Sequence, residues 1–271
     1  MAHILMLSSW VAHGHVGMAA GVPVLQALGH TVTQLPTVIL SNHPGWDHVA
    51  GEAQPTAGLR AQIEALHANG WLPGVDGVLI GYMPSPEHVD VAVELVASVR
   101  ESNPAVRITV DPIMGDHPKG LYIPAATAEA IRDRLVSLAD ILTPNLFELG
   151  WLADADPNTP PAVADVARRL GPEDVRVTSA PAGPGFVGLQ RVTPEITGTW
   201  RSPALTDVPH GPGDVFAALS AAGLSAGEAL GKVARLVQCS QGASHLRIIE
   251  SREDWVSAPA SLSTPILDFG V

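Results

Sequence analysis

The sequence holds one cysteine, Cys239, in 271 residues. No internal disulfide can form, and no site built from cysteines alone can hold a metal. In its setting, Leu-Val-Gln-Cys-Ser-Gln, Cys239 reads as a small core residue on a helix. Aromatic residues make up only 4%, so valine, leucine, isoleucine and alanine must do most of the packing. Positive charge is also scarce. Fifteen lysines and arginines stand against 27 acids, a formal net charge of −12. An acidic surface without a Lys/Arg run repels a phosphate backbone, which excludes nucleic acid as the main partner. No apolar run approaches membrane-spanning length. Residues 1–10 lack a basic segment followed by a long apolar core. The expectation is a soluble cytoplasmic protein with no membrane partner.

What is present is a large supply of core. Apolar residues reach 46% and charged residues 15%, the balance of a folded chain rather than a disordered one. Short β-branched runs fall at 3–8, 31–35, 77–81, 107–110, 141–143 and 175–179. Helical stretches at 56–69, 86–102, 125–138 and 161–170 lie between them. This alternation predicts βαβ units and a parallel sheet buried on both faces. The rhythm changes after residue 179. Segments 185–192 and 195–201 lie too close for a crossover and predict antiparallel strands at one sheet edge. Helices are then expected over 213–224 and 227–244, with a loosely attached tail from 257. No repeat or linker divides the chain, so residues 1–271 read as a single α/β domain. Its fold class is a three-layer sandwich, a mostly parallel central sheet with helices on both faces.

In open parallel sheets, ligands sit beyond the carboxyl ends of the strands. Those ends carry Ser8 and Ser9, Tyr82, Asp111, Thr143 and Asn145, and Thr178 and Ser179. Turn chemistry alone explains Pro36, Pro112 and Pro144. It explains a recurring Asp, Thr, Asn and Glu less well.

The most informative segment is His210-Gly211-Pro212-Gly213-Asp214, followed by an apolar helix. Two glycines permit a tight turn at a helix start, where exposed N–H groups and the helix dipole attract an anion. An aspartate in that first turn can act as a base beside developing phosphate charge. Taken alone the segment also fits a plain helix cap. Two further segments stand beside it: Asp111-Pro112-Ile113-Met114-Gly115-Asp116, and Thr143-Pro144-Asn145-Leu146-Phe147-Glu148. A cation bridging nucleotide phosphates wants a few carboxylates and water, and Asp111 and Glu148 fit that need.

These blocks resemble, in order, those of the pyridoxal kinases of the ribokinase superfamily. The resemblance starts at Ser8-Ser9-Trp10-Val11 and Gly14-His15-Val16-Gly17. It continues through Leu25-Gln26-Ala27-Leu28-Gly29-His30 and Ser41-Asn42-His43, and covers about residues 4–222. It implies a ribokinase-like fold and phosphorylation by ATP of the 5′-hydroxymethyl group of pyridoxal, pyridoxine or pyridoxamine. It further implies Mg²⁺, a monovalent cation (K⁺ or Na⁺), and a homodimer. By position, Asp214 is implied as the base, with Gly211 and Gly213 shaping the anion hole. Ser9, His43, Pro44, Trp46 and Tyr82 are implied on the vitamin side. Asp111, Asp116, Thr143, Asn145, Glu148, Thr178 and Ser179 are implied on the ATP side, with Asp111 and Glu148 toward the metal. Residues 117–121 are implied as a loop over ATP.

The chain departs from the family pattern in three places. Trp10 stands where His is usual, Met18 where Asn is usual, and His43-Pro44-Gly45-Trp46 where His-Thr-Gly-Tyr is usual. Three rival readings accompany this one. A hydroxymethylpyrimidine kinase shares fold and motif. A metal-dependent hydrolase could use His13, His15, His43 and His48. A vitamin carrier could keep the fold without turnover.

Overall fold

The structure is a computed structural model that describes residues 1–262. The chain opens with β1 (His3–Val11), α1 (Met18–Ala27) and β2 (Thr31–Leu40), followed by β3 (Gly51–Ala53) and α2 (Thr56–Ala68). β4 (Gly77–Ile80), α3 (Pro86–Ser102) and β5 (Arg107–Val110) follow. A small hairpin, β6 (Gly115–Asp116) and β7 (Gly120–Leu121), leads into α4 (Ala125–Ala130). Next come β8 (Ile141–Leu142), α5 (Leu146–Ala153), α6 (Pro160–Arg169) and β9 (Asp174–Ala180). β10 (Phe186–Val192), β11 (Thr197–Pro203), α7 (Pro212–Ala221), α8 (Ala226–Ser240) and α9 (Arg252–Val256) complete the order.

Nine strands form one sheet in the order β11-β10-β9-β8-β5-β4-β1-β2-β3. The six from β9 to β2 pair in parallel. β10 and β11 add antiparallel at one edge, as the short spacing after residue 179 predicts. The other edge carries β3, also antiparallel. Three residues with all side chains exposed leave no periodic signal, so β3 is not legible in the sequence.

The strand period of two divides the core. Along β1, Leu5 and Leu7 join the cluster under α2 to α6, while Ile4 and Met6 join the cluster under α1, α7, α8 and α9. All four are essentially fully buried. Each such side chain contributes roughly 1.5–3 kcal/mol relative to exposure. A charge at Leu7 would put an unpaired ion between sheet and helices and break this layer.

Three expectations need correction. The stretch 125–138 is not one helix. After α4 the backbone widens into a π turn over Ile131–Leu135 and tightens into a 3-10 turn over Val136–Leu138. The wide turn keeps Ile131, Leu135 and Val136 all buried. α8 stops at Ser240 rather than running to 244, and Ser240 Oγ turns back to donate to the Leu236 carbonyl. The tail is attached at least as far as Ser261, whose N–H donates to the Gly227 carbonyl at 2.8 Å. The rest of the expected tail lies outside the described residues. Among the described residues, no helix is long and apolar enough to cross a membrane.

Candidate active site

A cavity of 480 Å³ opens beyond the carboxyl ends of the central strands. Its walls include Asp111, Thr143, Asn145, Glu148, Thr178 and Ser179. Gly213 and Asp214 face it from the start of α7. Polar residues from β5, β8 and β9 and the glycine-rich turn therefore share one cleft, as the rim argument predicts.

The turn has a defined geometry. Gly211 caps α7 at φ 110°, a left-handed conformation that disfavours any side chain. A Cβ there would lie 2.1 Å from the His15 carbonyl oxygen. Gly213 differs, because a Cβ would meet nothing within 4 Å; its missing side chain leaves the cleft open. Pro212 occupies the first helical position, where the lost N–H would have no helical partner anyway. The amides of Gly213 and Asp214 remain as first-turn donors.

Three acids converge here. Asp111 is 8% exposed and Glu148 2%. Burial pushes the Asp111 carboxyl well above the usual range, reinforced by Glu148 and Asp214 and opposed by a hydrogen bond with Thr143. Glu148 is raised to about 7, by burial first and with a smaller push from Asp116. Asp214 is raised to about 6 by burial, against two backbone N–H groups, those of Gly17 and of Asp214 itself. Tyr122 lines the same cavity. Burial and the surrounding acids lift its hydroxyl far above the phenol range.

Glu148 and Asn145 are already engaged. Glu148 Oε1 accepts from the Met114 N–H at 2.7 Å, and Oε2 from the Asn145 N–H at 2.9 Å. Asn145 Oδ1 accepts from the Glu148 N–H, and Nδ2 donates to the Gly115 carbonyl at 2.8 Å. This reciprocal capping box starts α5 and ties it to the loop after β5. Both side chains thus build the wall and hold Asp111's loop in place. Asp116 lies outside the cavity lining, in β6. Its Oδ1 is buried without a hydrogen-bond partner among the described residues.

The residues expected on the vitamin side are dispersed. Ser9 sits where the β1–β2 register shifts between Ser8 and Trp10, a bulge that releases it from regular pairing. The Tyr82 backbone locks the strand ends, its N–H donating to Ser8 Oγ and its carbonyl accepting from Thr37 Oγ1. Its ring packs against the larger core cluster. Pro44 is exposed. His43 and Trp46 line a separate small pocket of 30 Å³ with His13, His15, His210 and His245. The His43 and His210 rings stack at 4.0 Å. Burial lowers His43 to about 4, helped by His210 and Lys119. Burial also lowers His15, whose Nδ1 is hydrogen-bonded to the Leu246 carbonyl. Among the described residues, no group of three His, Cys, Asp or Glu side chains is arranged to hold a metal. The hydrolase reading built on His13, His15, His43 and His48 therefore lacks a ligand set.

Sequence reasoning missed the apolar half of the large cavity. Val187 and Leu189 of β10, Leu205 and Val208 of the loop after β11, and Val233 and Val237 of α8 form it. The only signal was the change of rhythm after β9, which placed two strands and a helix beside the cleft. The stacking of His210 on His43 was also invisible, because 167 residues separate them.

A family model described as phosphomethylpyrimidine kinase matches residues 12–237. The chain is 37% identical over 233 residues to the pyridoxine/pyridoxal/pyridoxamine kinase of Bordetella avium, covering 84% of this chain and 79% of that one. It is 35% identical over 266 residues to the pyridoxal kinase PdxY of Leifsonia xyli, covering 92% and 94%. In structure it is similar to the pyridoxal kinase of Leishmania donovani in complex with ADP and pyridoxamine, with a TM-score of 0.90, 27% identity, and coverage of 97% of this chain and 99% of that one. These likenesses run through the strand ends and the glycine turn that build the cleft, and the chain belongs to the pyridoxal kinase family of the ribokinase superfamily.

Proposed function

We propose that the cleft transfers the γ-phosphoryl group of ATP to the 5′-hydroxymethyl oxygen of a B6 vitamer, with Asp214 as the base. As a member of this family the chain is a pyridoxal/pyridoxine/pyridoxamine kinase. One observation carries the assignment of roles. A single 480 Å³ cavity, within the range of small-molecule sites, joins Asp214 and its glycine turn to the strand-end polar groups and to an apolar wall.

Phosphoryl transfer asks for positioning and charge stabilisation. The vitamer's oxygen forms the new P–O bond as the bond to the leaving ADP breaks, and the hydroxyl proton passes to Asp214. With its carboxyl at about 6, Asp214 is ionised at neutral pH yet basic enough to accept that proton. The Gly213 amide and the N-terminus of α7 face the negative charge of the moving group. The apolar wall from β10 to α8 takes the nucleobase. Thr143, Thr178 and Ser179 stand where the phosphates and ribose must pass.

The donor set also fits Mg²⁺. Asp111 and Glu148 lie close enough to feel each other's charge, and among the described residues neither is ion-paired to a Lys or Arg. Oxygen ligands of this kind suit a hard cation. Asp111 would hold it directly and Glu148 through water, since both Glu148 oxygens already accept amide hydrogens. When bound, Mg²⁺ neutralises phosphate charge. A monovalent cation and the homodimer belong to the same reading; activity with K⁺ or Na⁺ and sedimentation equilibrium measure them.

ATP consumption with pyridoxal, pyridoxine, pyridoxamine and hydroxymethylpyrimidine tests the substrate. The expected result is turnover with at least one B6 vitamer and none, or far less, with the pyrimidine. The reverse order overturns the substrate assignment. Vitamer binding without ATP consumption points instead to a carrier.

A further inference from the structure

α8 carries two glycines four residues apart, Gly227 and Gly231, and both are buried. Glycine is a poor helix former, so a pair of them in one helix calls for a packing reason. The end of the described chain supplies it. A Cβ on Gly231 would lie 2.0 Å from the Pro259 carbonyl oxygen and 3.1 Å from the Ser261 nitrogen. A Cβ on Gly227 would lie 2.8 Å from the Ser261 carbonyl oxygen and 3.1 Å from Trp200 Nε1 of β11. The bare Cα atoms therefore let a backbone segment lie directly on the helix. Residues 259–261 occupy that track, and the Ser261 N–H donates to the Gly227 carbonyl at 2.8 Å.

α9 anchors the start of this segment. Trp255 is fully buried, and its indole N–H donates to the Ile248 carbonyl at 2.8 Å. Lys232 Nζ donates to the Val256 carbonyl, and Arg235 pairs with Asp254. Both basic residues of α8 thus reach the stretch that leads into the segment.

Another face of α8 belongs to the cleft. Leu230, Val233, Ala234, Val237 and Gln238 line the large cavity, a stripe of three- and four-residue steps along the helix. Ala234 and Gln238 also line a groove between α8 and residues 257–261. One helix therefore separates the chain's end from the cavity. The β10–β11 hairpin is tied to the same place. Leu189 of β10 lines the cavity and pairs with Trp200 of β11, the residue beside Gly227.

We propose that residues 259–261 act as a strap that positions α8 against the β10–β11 hairpin and so sets the fit of the apolar wall around the nucleobase. Pro259 and Ser261 are positioning residues, with Gly227 and Gly231 as their seat. This rests on reading the cleft as the donor site. A packed helix moves in discrete steps rather than yielding smoothly, so lifting the strap shifts Val233 and Val237 together.

Gly231→Ala tests the strap with the whole chain present. KM for ATP and its calorimetric Kd are expected to rise roughly five- to tenfold, with kcat and KM for the vitamer little changed. A role confined to stability predicts a lower Tm or a smaller active fraction with KM for ATP unmoved, and that result overturns the inference. Truncation after Ala258 should reproduce the rise, and truncation after Leu262 should not. A rise already present after the smaller truncation overturns it. Gly231→Ala decides alone if the larger truncation does not fold. Val237→Asp, which acts from inside the cleft, separates the strap from the reading beneath it. If Val237→Asp weakens ATP binding and Gly231→Ala does not, the strap fails and the donor site stands. If neither does, the nucleotide does not lie against α8 and both fall.

Discussion

The two halves of the site are built from different materials. The half proposed for the donor is a 480 Å³ cleft framed by backbone turns, strand ends and a capping box. Two of the residues expected on the acceptor side, His43 and Trp46, line a separate 30 Å³ pocket walled largely by histidine side chains. Burial acts on both with opposite effect. It raises Asp111, Glu148 and Asp214 on the donor side and lowers His43 and His15 on the acceptor side. Each half is thereby pushed toward its neutral form. A donor half fixed by main chain tolerates side-chain change poorly where an acid is replaced. An acceptor half fixed by stacked rings can alter its fit residue by residue.

Asp214→Asn tests the junction of the two halves and should have the largest effect. Turnover should fall about 10³-fold while calorimetry still shows ATP binding; near-normal kcat removes Asp214 from the base role. Asp111→Asn, deep in the donor half, should weaken the Mg²⁺ dependence and cut kcat/KM for ATP by roughly 10- to 100-fold. An unchanged magnesium titration would take the metal away from Asp111. Val237→Asp puts a charge on the apolar wall and should raise KM for ATP about tenfold without changing KM for the vitamer. Equal effects on both would merge the halves.

The acceptor half should respond more mildly. His43→Gln is expected to change vitamer KM by about two- to fivefold through lost stacking. It should leave the acid limb of kcat/KM near pH 6, because that limb belongs to Asp214. A limb that moves with His43 would make the histidine part of the proton path. The smallest effect is on stability. Asp214 is raised from 3.8 to about 6. Charging it therefore opposes folding, fully so above pH 6 and not at all below about pH 4. Asp214→Asn should stabilise the protein by about 1 kcal/mol at pH 8, less than the full shift because cleft solvent screens it. That gain should vanish near pH 4 in urea denaturation curves.

Much of the donor half could be read from the sequence. β-branched runs marked the strands, and their carboxyl ends carried Asp111, Thr143, Thr178 and Ser179 into one cavity. The motif around Asp214 is local, and Gly213 and Asp214 line the cavity from the first turn of α7. α1 escaped notice because it is buried nearly all round: Met18, Ala20, Val22, Val24 and Leu25 are all inside, which erases the amphipathic stripe. Pro23 lies within it as well. The acceptor half was harder, since its pocket joins residues 13–16, 43–46, 210 and 244–245. No local pattern reports a contact between segments so distant. Glu148 showed a third case. Its type and place were legible, but that both oxygens are already held by amides required coordinates.

Trp46 has a practical consequence. It is 55% exposed and lines the same small pocket as His43 and His210. Trp71, at 57%, is the other strongly exposed indole and lines neither pocket. With Trp71 replaced by phenylalanine, Trp46 becomes the main solvent-facing fluorophore. A B6 ring absorbs where tryptophan emits, so a bound vitamer should quench a nearby indole. If the acceptor binds as proposed, Trp46 emission is its optical gauge.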